Sequence, residues 1–208
     1  MTTILALETS TAHGSVALWC KGAVVQEWHF VSDRTHNSLL FAPLAAALDM
    51  ADPDMIVVGT GPGSYSGVRV ALSAALGVAL AKKAALIGWP SLTAFDMTAE
   101  GCVIGNARRG SFFIADIAAA RLQGEPRLVD EETLARDTQG RTVWTFDDTA
   151  WVPGAILVKP SAAWLARRAA ALPPEEIVAL SAATPEPIYL RAPFITTPKS
   201  RVPQAAAR

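Results

Sequence analysis

Apolar residues run almost without interruption from Thr3 to Leu7, then stop at Glu8 and the polar cluster Thr9-Ser10-Thr11-Ala12-His13-Gly14. A short apolar run closed by turn residues predicts a buried strand and a turn. Ser15 to Cys20 is a second such run, Lys21-Gly22 marks a tight turn, and Ala23 to Phe30 predicts a third strand. The chain therefore opens as a three-stranded meander. Leu40, Leu44 and Leu48 recur at one-turn spacing and predict a helix over Thr35 to Met50. Ser32, Asp33 or Thr35 is placed to cap it, and Pro43 should kink or locally break it. Met55 to Gly59 is almost wholly apolar, as a buried strand requires. It leads into Gly61-Pro62-Gly63-Ser64-Tyr65-Ser66-Gly67 and then a helix over Val68 to Lys83, apolar nearly all round. Ala85 to Gly88 predicts another strand, and Ser91 caps a shorter helix.

A meander feeding right-handed crossovers builds a mixed five-stranded sheet with helices on its faces. Two such units face to face make the actin-like α/β architecture (ASKHA, ribonuclease H-like), with a nucleotide cleft between lobes. The second half reads as a worn copy: Val103 to Ala107, the turn Arg108-Arg109-Gly110, and Ser111 to Ile117 repeat strand, turn, strand. Helix signals follow over Glu131 to Arg136 and Ala162 to Ala171, with short strands at Thr142 to Phe146, Ile156 to Val158 and Ile188 to Leu190. The expected organisation is an N-terminal actin-like lobe over 1–100 and a smaller, irregular second lobe over 101–208. Pro198 onward is expected to be mobile.

Composition changes this picture little. Apolar residues make up 51% of the 208 and charged residues 18%, so a sizeable core can form and general disorder is excluded. No apolar run reaches the ~20 residues a bilayer demands. Met1-Thr2-Thr3-Ile4 lacks a basic flank and reads as a first strand rather than a signal peptide, so a cytoplasmic protein is expected. Cys20 and Cys102 match no metal or redox spacing. The net charge of −1 argues against autonomous nucleic-acid binding. The basic end, from Arg191 onward, fits either a solvated terminus or contact with RNA inside a larger assembly.

Two constellations could carry chemistry. A strand, a Gly-Pro-Gly turn and a helix N-terminus form an anion site on physical grounds, because free N–H groups and the helix dipole point at whatever lies there. Gly61, Gly63, Ser64, Ser66, Gly67 and Arg69 are its candidates. The spacing misses both the dinucleotide fingerprint and the Walker loop, so a tight turn that needs glycine for backbone reasons is the alternative. The second constellation is Glu8, Thr9 and Ser10 at the end of the first strand, where a carboxylate can hold a metal or orient water and the hydroxyls can face phosphates. His13, His29 and His36 form no ligand set, and no Gly-x-Ser-x-Gly elbow occurs. No catalytic residue and no metal ligand is therefore assigned.

These residues carry a resemblance. Ile4-Leu5-Ala6-Leu7-Glu8-Thr9-Ser10, Gly14-Ser15-Val16-Ala17-Leu18, His36-Asn37-Ser38-Leu39-Leu40 and, most specifically, Gly61-Pro62-Gly63-Ser64-Tyr65-Ser66-Gly67-Val68-Arg69 resemble the TsaB (YeaZ) family. Weaker likeness returns at Asn106-Ala107-Arg108-Arg109-Gly110 and Pro187-Ile188-Tyr189-Leu190-Arg191. The resemblance implies an actin-like, non-catalytic scaffold in threonylcarbamoyladenosine synthesis at position 37 of tRNA. It implies docking to a TsaD-like catalytic subunit, with a TsaE-like ATPase joining and tRNA met through the complex; the second face of a helix apolar all round also allows a homodimer in isolation. No cofactor of its own is implied; ATP or ADP would sit at the partner interface. The family often has Asp where Glu8 stands, which argues against metal binding. The catalytic relative's helical His pair is missing, since Leu40 lies one turn after His36. The two helices carry the expected interface: His36, Leu40, Leu44, Ala71, Ala74, Ala75 and Ala79, the alanines permitting close approach of a partner helix. The alternative is that the second helix faces its own sheet, and both can hold because a helix apolar all round has a second face to bury. The rivals are a small actin-like ATP-dependent kinase, for which Asp116 is the placed candidate, and a glycoprotease-like hydrolase.

Overall fold

The structure is a computed structural model that describes residues 2–32, 37–97, 99–148 and 152–191. His36 and the segment from Pro198 lie outside the described residues.

The opening meander forms as β1 (Ile4–Glu8), β2 (His13–Cys20) and β3 (Ala23–Val31). A 3-10 turn at Asn37–Leu40 leads into α1 (Phe41–Met50). Pro43 does not kink α1. It occupies the first helical turn, where an N–H has no acceptor four residues back, and the break falls ahead of Phe41 instead. Then come β4 (Met55–Gly59), α2 (Tyr65–Lys82) and β5 (Ala85–Trp89). The Ser64 hydroxyl accepts from the Gly67 N–H to cap α2, and left-handed Lys83 closes it with an N–H to the Ala79 carbonyl. The helix expected after Ser91 is a single 3-10 turn, Ser91–Thr93.

These strands make a five-stranded sheet in the order β3-β2-β1-β4-β5. β1 pairs antiparallel with β2 and parallel with β4, and β4 pairs parallel with β5. All five residues of β1 and of β4 are buried, which is why each reads as a continuous apolar run. One face of the sheet packs on α1 and α2 through Leu5, Leu7, Val58, Leu44, Ala71 and Ala75.

The second sheet comes from β6 (Gly101–Asn106), β7 (Phe112–Ala118), β8 (Arg121–Leu122) and β9 (Arg127–Val129), then α3 (Glu131–Thr138), β10 (Val143–Thr145) and β11 (Ile156–Leu157). Asp130 caps α3 by accepting from the Thr133 N–H. The strand order β11-β10-β6-β7-β8, with β9 also on β7, repeats the first sheet's logic: an antiparallel hairpin whose first strand pairs parallel with a later one. The strand expected at Ile188 to Leu190 does not form.

The chain then returns to the first sheet. α4 (Ala162–Ala170) covers its other face with Ala162, Leu165, Ala166 and Ala169 against Ile4, Ala6 and Val57, and α5 (Pro174–Ser181) adds Ile177 and Leu180. First-sheet side chains hold the N-terminus of α4. Glu27 accepts from the Ser161 hydroxyl at 2.7 Å and the Ala163 N–H at 3.1 Å, and Ser15 accepts from the Ala162 N–H at 2.8 Å. A carboxylate is favourable there because the helix dipole is positive at that end. Residues 162–181 thus pack with the first sheet although they follow the second in sequence.

Candidate functional site

The carboxyl ends of β1 and β4 and the start of α2 face β6, the turn after it and the segment around β11. A cleft of about 790 Å³ lies between them. Its first wall holds Thr9, Ser10, Ser64 and Ser66, and its second holds Asn106, Arg108, Asp147, Asp148 and Lys159.

The two constellations read from sequence meet at the first wall, and they are stitched to each other. The Ser64 N–H donates to the Ser10 carbonyl at 2.6 Å, and the Thr9 hydroxyl donates to the Gly67 carbonyl at 2.9 Å. A Cβ at Gly63 would collide with the Ser10 carbonyl, and one at Gly67 with the Thr9 carbonyl. Close backbone approach therefore dictates both glycines, while Gly61 needs its positive φ of 83°. Three amides that could have faced an anion are used internally: Gly61 on the Ser91 hydroxyl, Ser64 on Ser10, and Gly67 on the Ser64 hydroxyl. A Gly63→Ala variant should lose about 1–3 kcal/mol, because the new methyl meets backbone rather than a movable side chain; urea denaturation measures this, and an unchanged midpoint would mean that the two turns can separate freely.

Three sequence candidates, Glu8, Gly61 and Arg69, do not line the cleft. Glu8 is fully buried and does not line it. Its Oε1 accepts from the Ser10 N–H at 2.6 Å, while Oε2 has no hydrogen-bond partner. Gly59 makes room for this carboxyl beside Ser91, since a Cβ there would strike it. Burial pushes the Glu8 carboxyl above its usual range, opposed by the hydrogen bonds from Ser10. An enclosed carboxyl that does not line the cleft is not poised to hold a metal there. Stability should accordingly fall as pH rises from the unfolded carboxyl's ordinary pKa to the higher folded one. Over that window the unfolded chain releases a proton that the folded chain keeps, at up to about 1.4 kcal/mol per pH unit. A Glu8→Gln variant should lack this slope, which pH-dependent urea melts would detect; identical slopes would exclude Glu8 as the source.

Arg69 points out from the exposed side of α2. Its Nη1 donates to the Tyr65 hydroxyl at 2.6 Å and its guanidinium lies 5.1 Å from that ring's centre. The cations at the cleft are Arg108 and Lys159 instead. Arg108 was visible only as part of a turn, where it and Arg109 both take positive φ in a hairpin connection. Lys159 had no local signal at all. Asp147 accepts from the Asn106 N–H at 2.9 Å, and its carboxyl is pushed up by burial and by neighbouring Asp148. Asp116 does not reach the cleft; it pairs with Arg141 at 2.6 Å on the second sheet. Among the described residues no group of three or more His, Cys, Asp or Glu is disposed to hold a metal, and no helix is long and apolar enough to cross a membrane.

The interface residues expected from sequence are corrected as well. Leu40, Leu44, Ala71, Ala75 and Ala79 are buried in this chain's own core, and Ala74 is half-buried against it. The outward faces of α1 and α2 carry Phe41, Met50, Leu76 and Leu80, with Leu80 73% exposed.

A family model described as "TsaD: tRNA N6-adenosine threonylcarbamoyltransferase" matches residues 33–133. The tRNA threonylcarbamoyladenosine biosynthesis protein TsaB of Escherichia coli K12 is 35% identical over 95 residues, which is 43% of this chain and 40% of that protein. TsaB of Haemophilus influenzae is 34% identical over 104 residues, 47% and 43% of the two chains. The chain thus spans less than half the length of these curated relatives in the matched region. A crystal structure from Pseudomonas aeruginosa, of an uncharacterized protein with similarity to peptidase YEAZ, superposes with a TM-score of 0.71 at 25% identity. That superposition covers 92% of this chain and 100% of the other.

Two mixed sheets of like topology, flanked by helices and facing each other across a polar cleft, define an actin-like α/β protein. Within that class the chain is similar to proteins of the TsaB/YeaZ family, on the joint support of the curated relatives, the YeaZ-like structure and the family model.

Proposed function

We propose that this chain is a non-catalytic partner subunit in the synthesis of N6-threonylcarbamoyladenosine in tRNA, docking to a TsaD-type catalytic subunit. The observation that carries the reading is the outward face of α1 and α2. Phe41, Leu76 and Leu80 are exposed there, on two helices whose inner faces are already buried in one core. A stable heterodimer buries about 800 Å² per partner around an apolar centre, and Leu76 and Leu80, one turn apart on α2, are the exposed apolar residues offered for it. The scaffold role is further supported by the two carboxylates the sequence offered for chemistry: Glu8 is enclosed and Asp116 is tied to Arg141. In this reading a TsaE-type ATPase and the tRNA are met through the assembly, any ATP or ADP sits at the partner boundary, and the same face pairs two copies when the partner is absent.

Size-exclusion chromatography with light scattering tests it, on the chain alone and mixed with its cognate TsaD-type protein. A heterodimer mass is expected. Two folded proteins that elute without a mass shift would overturn the docking. One observation favours a rival, a small actin-like kinase: the cleft brings Arg108 and Lys159 to the same wall as Asp147 and Asp148. ATP turnover by the purified chain alone would decide for that rival.

A further inference from the structure

Residues 185–191 form neither helix nor strand, yet they run from the first sheet to the second through a series of separate anchors. Pro185 sits against Gly88, where any Cβ would collide with its ring. The Ile188 N–H donates to the Thr60 carbonyl, just past β4, at 2.8 Å. The Tyr189 ring packs on Tyr65, the first residue of α2, with centroids 5.8 Å apart. Leu190 joins Leu92, Val103 and Phe113 in the apolar cluster of the second sheet. Arg191 Nη2 donates to the Arg108 carbonyl at 3.4 Å.

A second pocket of about 110 Å³ lies between this segment and the Gly-Pro-Gly turn, with Pro62, Ser64 and Val68 on one side and Pro187 and Leu190 on the other. Ser64, Tyr65 and Tyr189 are exposed at its rim, so it opens to solvent and the segment is laid over the turn rather than packed into it. Its attachment rests on a few discrete contacts, and such elements open locally at a fraction of the global unfolding free energy.

We propose that residues 185–191 are a releasable strap: they hold the two sheets at one spacing and cover the Gly-Pro-Gly turn, and lifting them opens the cleft from that side. The geometry explains both parts. Leu190 and the turn residues Pro62 to Tyr65 line the large cleft and the smaller pocket alike, so the strap and the turn meet at the boundary between them. Its anchors lie on opposite sheets, at Thr60 and Gly88 on one and at Val103, Phe113 and Arg108 on the other, so releasing it removes one tie between them and leaves that of Arg121 to Glu176 and Trp89. The proposal stands independently of whether a TsaD-type partner docks.

Hydrogen exchange read by mass spectrometry on the full chain tests it. In Tyr189→Ala, segments 60–66 and 185–191 should exchange about three- to tenfold faster, the range that loss of one ring pair supplies, while β1 and β4 keep their wild-type rates. Tyr189→Phe keeps the ring and should stay at the wild-type rates. Ile188→Pro, which deletes the donor to Thr60, should accelerate the same two segments. Unchanged exchange in Tyr189→Ala, or equal acceleration throughout β1 and β4, would overturn the strap and leave the segment an ordinary part of the fold.

Discussion

An Ala75→Trp variant should lose about 3 kcal/mol or more of stability, because the indole has no space to enter. Ala75 is 0% exposed on the inner face of α2, in the cluster that also holds Leu5, Leu7, Val58 and Leu86. Small side chains there let α2 lie close to the sheet, and a large one must push the helix away or leave its rotamer wells. Thermal and urea denaturation would measure the loss. Leu76→Trp, one residue on and turned to solvent, is the matched control and should stay within about 0.5 kcal/mol of wild type. If Ala75→Trp melted normally while weakening a partner, the inner and outer faces of α2 would have to be exchanged.

Introducing a charge at Leu80 should do the opposite: leave the fold intact and break the proposed docking. Leu80 is 73% exposed and Leu76, one turn before it, 37% exposed, so neither contributes much to the core. At the centre of a protein interface a desolvated leucine position does not tolerate a carboxylate, and losses of 2 kcal/mol or more are typical of central anchors. Leu80→Asp combined with Leu76→Asp should therefore weaken binding to a TsaD-type subunit by about 30-fold or more, with an unchanged melting temperature. Titration calorimetry on the pair of folded proteins gives the number. Wild-type affinity would move the docking surface off α2.

The contrast between these positions marks how far the sequence could be read. A continuous apolar run such as Met55 to Gly59 admits one interpretation, a strand covered on both faces, and β4 is that. The meander, the Gly-Pro-Gly turn and α2 were legible for similar reasons: alternation, turn chemistry and capping act over a few residues. A helix apolar nearly all round is different. Its pattern does not say which stripe faces inward: a partner helix and the chain's own sheet both suit the small residues, and the fold gives Ala71, Ala75 and Ala79 to the sheet. The same holds for Leu40 and Leu44, since regular spacing marks a buried stripe but not what buries it.

The candidate site divides in the same way. Thr9, Ser10, Ser64 and Ser66 were found by turn chemistry and do line the cleft. Glu8 was not separable from them in sequence. Whether a strand-end side chain turns into the sheet's other face depends on the neighbouring strand having a glycine beside it, here Gly59. Arg69 is one turn from the helix start, but its angle around α2 carries it to solvent and onto Tyr65. Arg108 and Lys159 reach the cleft because β6 and the segment after β11 come together across the second sheet, a pairing over about fifty residues that no local window contains.

By itself, then, the sequence determined what is set by short-range physics: the strands, the turns, the capped helices, and a motif specific enough to point to one family. The tertiary structure alone decided which face of α2 is inside, which turn amides are used internally, where Glu8 lies, that α4 returns to the first sheet, and that residues 185–191 run between the two sheets. Each of those outcomes depends on burial against a partner distant in the chain. Burial is decided by how whole elements pack, through apolar area removed from water and steric fit between surfaces.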